Sequence, residues 1–131
     1  MTRPAMVWGP AVLLMVLIFG FSSLRDVPVP LGGTRDVAAH AIIYGGLGIL
    51  MVRALAGAQR RGVTPRTMAS ALVLTALYGL TDEYHQSFVP GRFADFRDVL
   101  ADVVGAGIGT GLVWAWSIVS SMGDQKRHDD V

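Results

Sequence analysis

The sequence of 131 residues contains no cysteine. Disulfides, thiolate nucleophiles and thiolate metal ligands are thereby excluded, and the compartment is left open. Charge is scarce as well: 16% of residues are Asp, Glu, Lys or Arg, against about a quarter in an average soluble domain. The formal net charge is only +1, and the basic residues form no stripe, so no surface is suited to nucleic acid. Neither a repeat nor a low-complexity segment stands out. What the chain has in abundance is apolar residues, 52% of the total, with a mean hydropathy of +0.48. They come in blocks of the length that membrane helices need, and the chain is long enough for one compact domain.

Four blocks are delimited by turn chemistry. The first, about residues 6–23, follows Arg3 and holds Pro10 in its first turns, where a helix tolerates proline best. A basic start and an apolar core also fit a signal peptide, but no clear small-x-small cleavage site follows, which favours a retained transmembrane helix. Val27 to Gly33 (VPVPLGG) reads as an exposed loop. Thr34 or Asp36 then offers a cap for a second helix, about 36–55. That helix is apolar except for His40 and Tyr44 near its start, which share one face at i, i+4. Its small residues Ala41, Gly45, Gly46 and Gly48 would let another helix come close.

Gly57 to Arg66 is a basic loop, and Thr64-Pro65 reads as the cap and first position of a third helix, about 65–86. The apolar part of that helix, Met68 to Leu80, is short for a span, and its last turns carry charge. After a Pro90-Gly91 turn, Asp95 with Asp98 resembles a capping arrangement for a fourth helix, about 96–119. Two G-x-x-x-G pairs, Gly105/Gly109 and Gly107/Gly111, would give this helix two flat faces, for a central place in the bundle or for a second copy of the chain. Trp8, Trp114 and Trp116 read as interfacial or lipid-facing anchors. Residues 123–131 read as a polar, disordered tail. The expected fold is an all-α membrane protein, four transmembrane helices in a compact bundle over residues 1–122.

Four spans put both termini on one side of the membrane. That side collects Arg3, Arg53, Arg60, Arg61, Arg66, Lys126 and Arg127, seven of the eleven basic residues, against Arg25, Arg35, Arg92 and Arg97 on the other. The positive-inside rule then places the termini in the cytoplasm. His40 and Tyr44, the end of the third helix and the start of the fourth all lie at the outer leaflet, so helices two to four can wall one outward-facing pocket.

Thr81 to Asp102 is the stretch with chemistry: five acids, two arginines, a histidine and a glutamine between apolar runs. Asp82, Glu83 and Gln86 share one side of a turn, and His85 is i+3 from Asp82. Asp95, Asp98 and Asp102 make an acidic stripe on the fourth helix, with Asp102 deep enough for burial to cost energy. Three readings are open. Carboxylates with His40 and His85 (the ligand candidates being His40, Glu83, His85 and Asp98) could hold a divalent metal that activates water on a lipid-linked substrate. Favoured among them, Arg92 and Arg97 could grip an anionic head group while Glu83, Asp98 and Asp102 orient them or hold a cation and His40 and Tyr44 complete the wall. Or the cluster could be an internal salt-bridge network that positions helices and binds nothing.

Asp36-x-x-x-His40-x-x-x-Tyr44, Asp82-Glu83-x-x-Gln86, Pro90-Gly91-Arg92 and Asp95-x-x-Asp98-x-x-x-Asp102, leading into Gly105-x-x-x-Gly109, occur in that order. This pattern resembles the VanZ-like family over about residues 34–111. The resemblance implies a small bacterial multi-pass protein of the cytoplasmic membrane, related to a namesake linked to resistance to the lipoglycopeptide teicoplanin. It selects Asp36, His40, Tyr44, Glu83, Gln86, Arg92, Asp98 and Asp102. It implies as partners a membrane lipid and a lipid-linked envelope precursor or lipoglycopeptide. Two positions depart from the family pattern: Val37 stands where lysine is common, with Arg35 on the other side of Asp36, and Asp102 stands where asparagine is common.

Overall fold

The computed structural model describes residues 4–25, 34–59 and 63–129. The expected loop at 27–33 and residues 60–62 of the basic loop lie outside them. Each apolar block is a helix: α1 Pro4–Ser22, α2 Thr34–Leu55, α3 Pro65–Gln86 and α4 Phe96–Asp129. Among the described residues there is no strand. Three of the helices, α1, α2 and the Phe96–Gly123 part of α4, are long and apolar enough to cross a membrane. In α3 the apolar stretch stops at Leu80 and polar residues follow.

Local chemistry explains most of the boundaries. Thr64 caps α3 by accepting from Thr67 N at 3.1 Å, with Pro65 at the first helical position. Asp95 caps α4, its Oδ1 accepting from Arg97 N at 2.9 Å. Gly91, at φ 86°, makes the tight turn between them. Two boundaries differ from the sequence reading. α2 starts at Thr34, which puts Asp36 inside the first turn, where a carboxylate suits the positive end of the helix dipole. α4 continues to Asp129 rather than giving way to a disordered tail at Gly123. No proline follows Gly123, and Gln, Lys and Arg are good helix formers, so nothing there stops the helix.

The bundle is turned inside out relative to a soluble protein. The buried stripe of α3 runs Ala71, Thr75, Gly79, Asp82, Glu83, Gln86, whereas Val73, Leu77 and Leu80 on its outer side are more than half exposed. Hydrocarbon around the bundle makes that arrangement stable: apolar side chains face lipid, and polar groups find partners within. The apolar core, Ile18, Tyr44, Leu47, Met51, Val52 and Ala71, is contributed by α1, α2 and α3.

α2 and α4 meet through their backbones. A Cβ at Gly105 would collide with the carbonyl oxygen of Ala41, and one at Gly109 with that of Gly45. A Cβ at Gly48 would lie 3.1 Å from the Ala106 oxygen. The second glycine pair behaves differently from the sequence reading, since a Cβ at Gly107 or Gly111 would meet nothing within 4 Å. Only one of the two flat faces is used inside the bundle.

α1 is attached by side chains that reach its carbonyl groups. Pro10 has no N–H to donate to Met6 O, its helical acceptor; Arg53 Nη1 donates there instead, at 3.2 Å, and to Val7 O at 3.0 Å. Tyr78 donates its hydroxyl hydrogen to Met15 O at 2.6 Å. At the other end, where the last carbonyls of a helix lack partners, Arg92 donates from Nη2 to Phe21 O at 3.0 Å and from Nε to Leu24 O at 3.2 Å.

Candidate functional site

The ends that carry charge converge on one end of the bundle because the helices alternate in direction. The start of α4 sets the pattern. In a capping box the acid three residues after the cap would turn back onto the cap's own N–H; that acid is Asp98. Here Glu83 of α3 takes the role, Asp95 N donating to Glu83 Oε2 at 3.1 Å. Asp98 is thereby released to face His40, whose Nε2 lies 3.9 Å from Asp98 Oδ2.

His40 is clamped from below by Asp102. Its Nδ1 lies 2.9 Å from Asp102 Oδ1, and a proton on Nδ1 lets it donate to that carboxylate, leaving the Nε2 lone pair toward Asp98. Asp102 itself is fully buried. It fits because Gly79 has no side chain: a Cβ there would sit 2.6 Å from Asp102 Oδ2. One ligand atom each from His40, Glu83 and Asp98 lies within 4.8 Å of the others. Glu83 Oε1 and Asp102 Oδ2 are buried without hydrogen-bond partners. The donor set, one imidazole nitrogen and two carboxylates, suits a divalent cation, and a carboxylate hydrogen-bonded to the far ring nitrogen is the usual way to orient a metal-binding histidine.

Beside this cluster lies a cavity of about 560 Å³ between α1, α2 and α3. Its walls are apolar along α1, at Leu14, Leu17, Ile18 and Phe21, and polar at His40, Tyr44 and Asp82. The sequence reading had taken helices two to four as the walls. Instead α1 closes the cavity, and the acids of α4 stand behind His40, because the α2–α4 contact is too tight to leave space.

A family model described as VanZ/LLP1 matches residues 7–118, which takes in part or all of every helix. The chain belongs to the VanZ/LLP1 family. It is a multi-pass membrane protein of VanZ type. No curated protein and no solved structure gives a significant match to it.

In this VanZ/LLP1 chain the residues singled out from sequence divide into three groups. His40, Glu83, Asp98 and Asp102 come together in the cluster. Tyr44, Asp82 and Gln86 face the cavity, with half-buried Asp36 at its edge. His85 and Arg97 lie elsewhere, and Arg92 belongs to the cavity wall but turns its guanidinium to α1. His85 points to α1, stacked on Phe19 with ring centroids 4.4 Å apart and its Nε2 3.0 Å from Ser23 Oγ. It is absent from the metal-type cluster because it sits one residue off the stripe that carries Glu83. Arg97 is exposed and outside the cavity lining.

Sequence reasoning missed Ser22, Gly79 and Arg53. Ser22 Oγ accepts from Gln86 Nε2 at 3.3 Å. Gly79 could have been found from its place at i−3 and i−4 from Asp82 and Glu83, and Arg53 from the carbonyl that Pro10 leaves unpaired.

Proposed function

We propose that the chain is a divalent-metal-dependent hydrolase of the bacterial cytoplasmic membrane, acting at the outer leaflet on a phosphate ester or anhydride of a lipid-linked envelope substrate. One observation carries this reading: a ring nitrogen of His40 and the carboxylates of Glu83 and Asp98 converge, Nε2 being the atom nearest Asp98 Oδ2, while Glu83 Oε1 is buried with no partner. Three acids gathered around one imidazole repel an anionic head group unless a cation stands between them. When bound, a divalent cation supplies Lewis-acid polarisation of a phosphoryl oxygen and a water that ionises near neutral pH. His40, Glu83 and Asp98 hold it, Asp102 fixes the His40 ring, and the Asp95 N–H holds Glu83 in place. The apolar α1 wall of the cavity receives the lipid chain. The excess of basic residues on the termini side, seven of eleven, supports cytoplasmic termini and an outward-facing site.

The test is metal content. Purified protein equilibrated with Mn²⁺ or Zn²⁺ is expected to retain about one ion per chain. Glu83→Gln and His40→Ala lose it, and a chelator abolishes phosphate release from a polyprenyl diphosphate. Absence of stoichiometric metal together with chelator-resistant release sinks the reading. A second reading, head-group recognition without turnover as the basis of teicoplanin tolerance, is supported by Arg92 at the cavity wall. It requires Arg92→Ala to restore susceptibility in cells while metal content stays normal.

A further inference from the structure

The cavity holds a second set of polar atoms, separate from the cluster around His40 Nε2. Neither the Tyr44 hydroxyl nor Asp82 Oδ1 makes a well-formed hydrogen bond, although the two side chains lie close enough to interact and are only 1% and 4% exposed. Both residues line the cavity. Leaving such groups unpaired in an apolar surround costs free energy, and a buried orphan of this kind calls for a missing partner.

The surrounding bonds show which atoms are presented. Gln86 Nε2 donates to Asp82 Oδ2 at 3.1 Å and to Ser22 Oγ at 3.3 Å. The amide thus holds the carboxylate from behind and leaves Oδ1 as the free acceptor. The Tyr44 ring is fixed by stacking on His40, coplanar within 2° at a centroid distance of 6.1 Å. If the tyrosine hydroxyl turns its hydrogen to Asp82, its own lone pairs remain; if it turns away, the carboxylate oxygen remains. In either state the pair presents an acceptor, which a ligand's donor group can use. The α1 wall is mostly apolar, with Leu14, Leu17, Ile18 and Phe21, while Ser22, Asp36, His40 and Arg92 add polar groups elsewhere in the lining; the Arg92 guanidinium donates to the Phe21 and Leu24 carbonyl oxygens.

We infer that Tyr44 and Asp82 form a binding subsite for the hydrogen-bond-donating group, a hydroxyl or an ammonium, of an amphiphile whose apolar chain lies in the cavity against α1. The subsite requires no metal. It therefore stands or falls apart from the hydrolase reading.

Equilibrium binding to the full chain in lipid nanodiscs tests it, with empty nanodiscs subtracted. Three radiolabelled probes of matched length are compared: dodecylamine, 1-dodecanol and dodecyl methyl ether, the last lacking a donor. Saturable binding of the amine or the alcohol is expected to be about ten- to a hundredfold tighter than that of the ether. An amine-only preference identifies an ammonium subsite and an alcohol-only preference a hydroxyl subsite. Asp82→Asn, which keeps an acceptor for Gln86, and Tyr44→Phe each reduce the preference several-fold. If a variant does not fold, the three probes on the unmodified chain decide. Equal affinity for all three probes overturns the inference. So does a preference that disappears with chelator, which assigns the donor group to the metal cluster instead and leaves the hydrolase reading intact.

Discussion

Where α2 meets α4, backbone lies on backbone: Gly105 against Ala41, and Gly109 against Gly45. Where α1 meets the bundle, Arg53 of α2, Tyr78 of α3 and Arg92 of the α3–α4 connection reach across to its carbonyl oxygens at Met6, Val7, Met15 and Phe21, and to that of Leu24 just past its end. The first contact has no slack, because interiors at native density cannot absorb even one methyl group without displacement. The second leaves room, and the cavity occupies it. The rigid seam carries His40 and Asp102, whose relative position must be held to tenths of an ångström. The looser mount faces the cavity.

Substitutions can break this comparison in graded steps. Gly105→Val or Gly109→Val forces α2 and α4 apart and is expected to destabilise by about 3 kcal/mol or more, the upper end of overpacking effects. Thermal unfolding in detergent measures this, and near-unchanged stability would mean the seam is not close-packed. Gly79→Ala is milder, about 2 kcal/mol, because its Cβ displaces a carboxylate rather than backbone. Its distinguishing effect is on metal retention, which should fall through Asp102 and His40.

Arg53→Ala is expected to cost about 1 kcal/mol, a charge-assisted bond discounted for its exposed setting. Faster amide exchange should be confined to α1; exchange rising equally in α2 and α4 would contradict a separate mount. Gly107→Ala comes last, with the opposite sign: a gain of about 0.5 kcal/mol from lower freedom in the unfolded chain. A loss instead would show that this face is covered by a second copy of the chain.

The helices were legible because hydropathy blocks, Thr64-Pro65 and Asp95 are local signals. The grouping of His40 with Glu83, Asp98 and Asp102 was legible for a similar reason, since helix periodicity and alternating direction bring those turns to one level. What was not legible depended on rotation about helix axes. His85 is two residues from Glu83 and so faces α1, and the bonds from Arg92 to the end of α1 were not foreseen because a helix end in need of donors leaves no mark in the residues around it. The tail at 123–129 was misread for want of a stop signal. The cavity wall was assigned to α4 because polar residues at one leaflet tell which helix ends meet there, but not on which side of them space will remain.

Because the groups gripping α1 hold its carbonyl oxygens, most of its own side chains are not asked to be anything in particular. Val7, Ala11, Ile18 and Ser22 are buried and Pro10 exposes a carbonyl, but Val12, Leu13, Val16 and Phe19 face outward. An attachment that reads few side chains, chiefly Ile18, Phe19 and Ser22, tolerates drift at the others. α1 can therefore be rewritten over evolutionary time to suit a thicker or thinner bilayer, while its height and direction in the bundle stay the same.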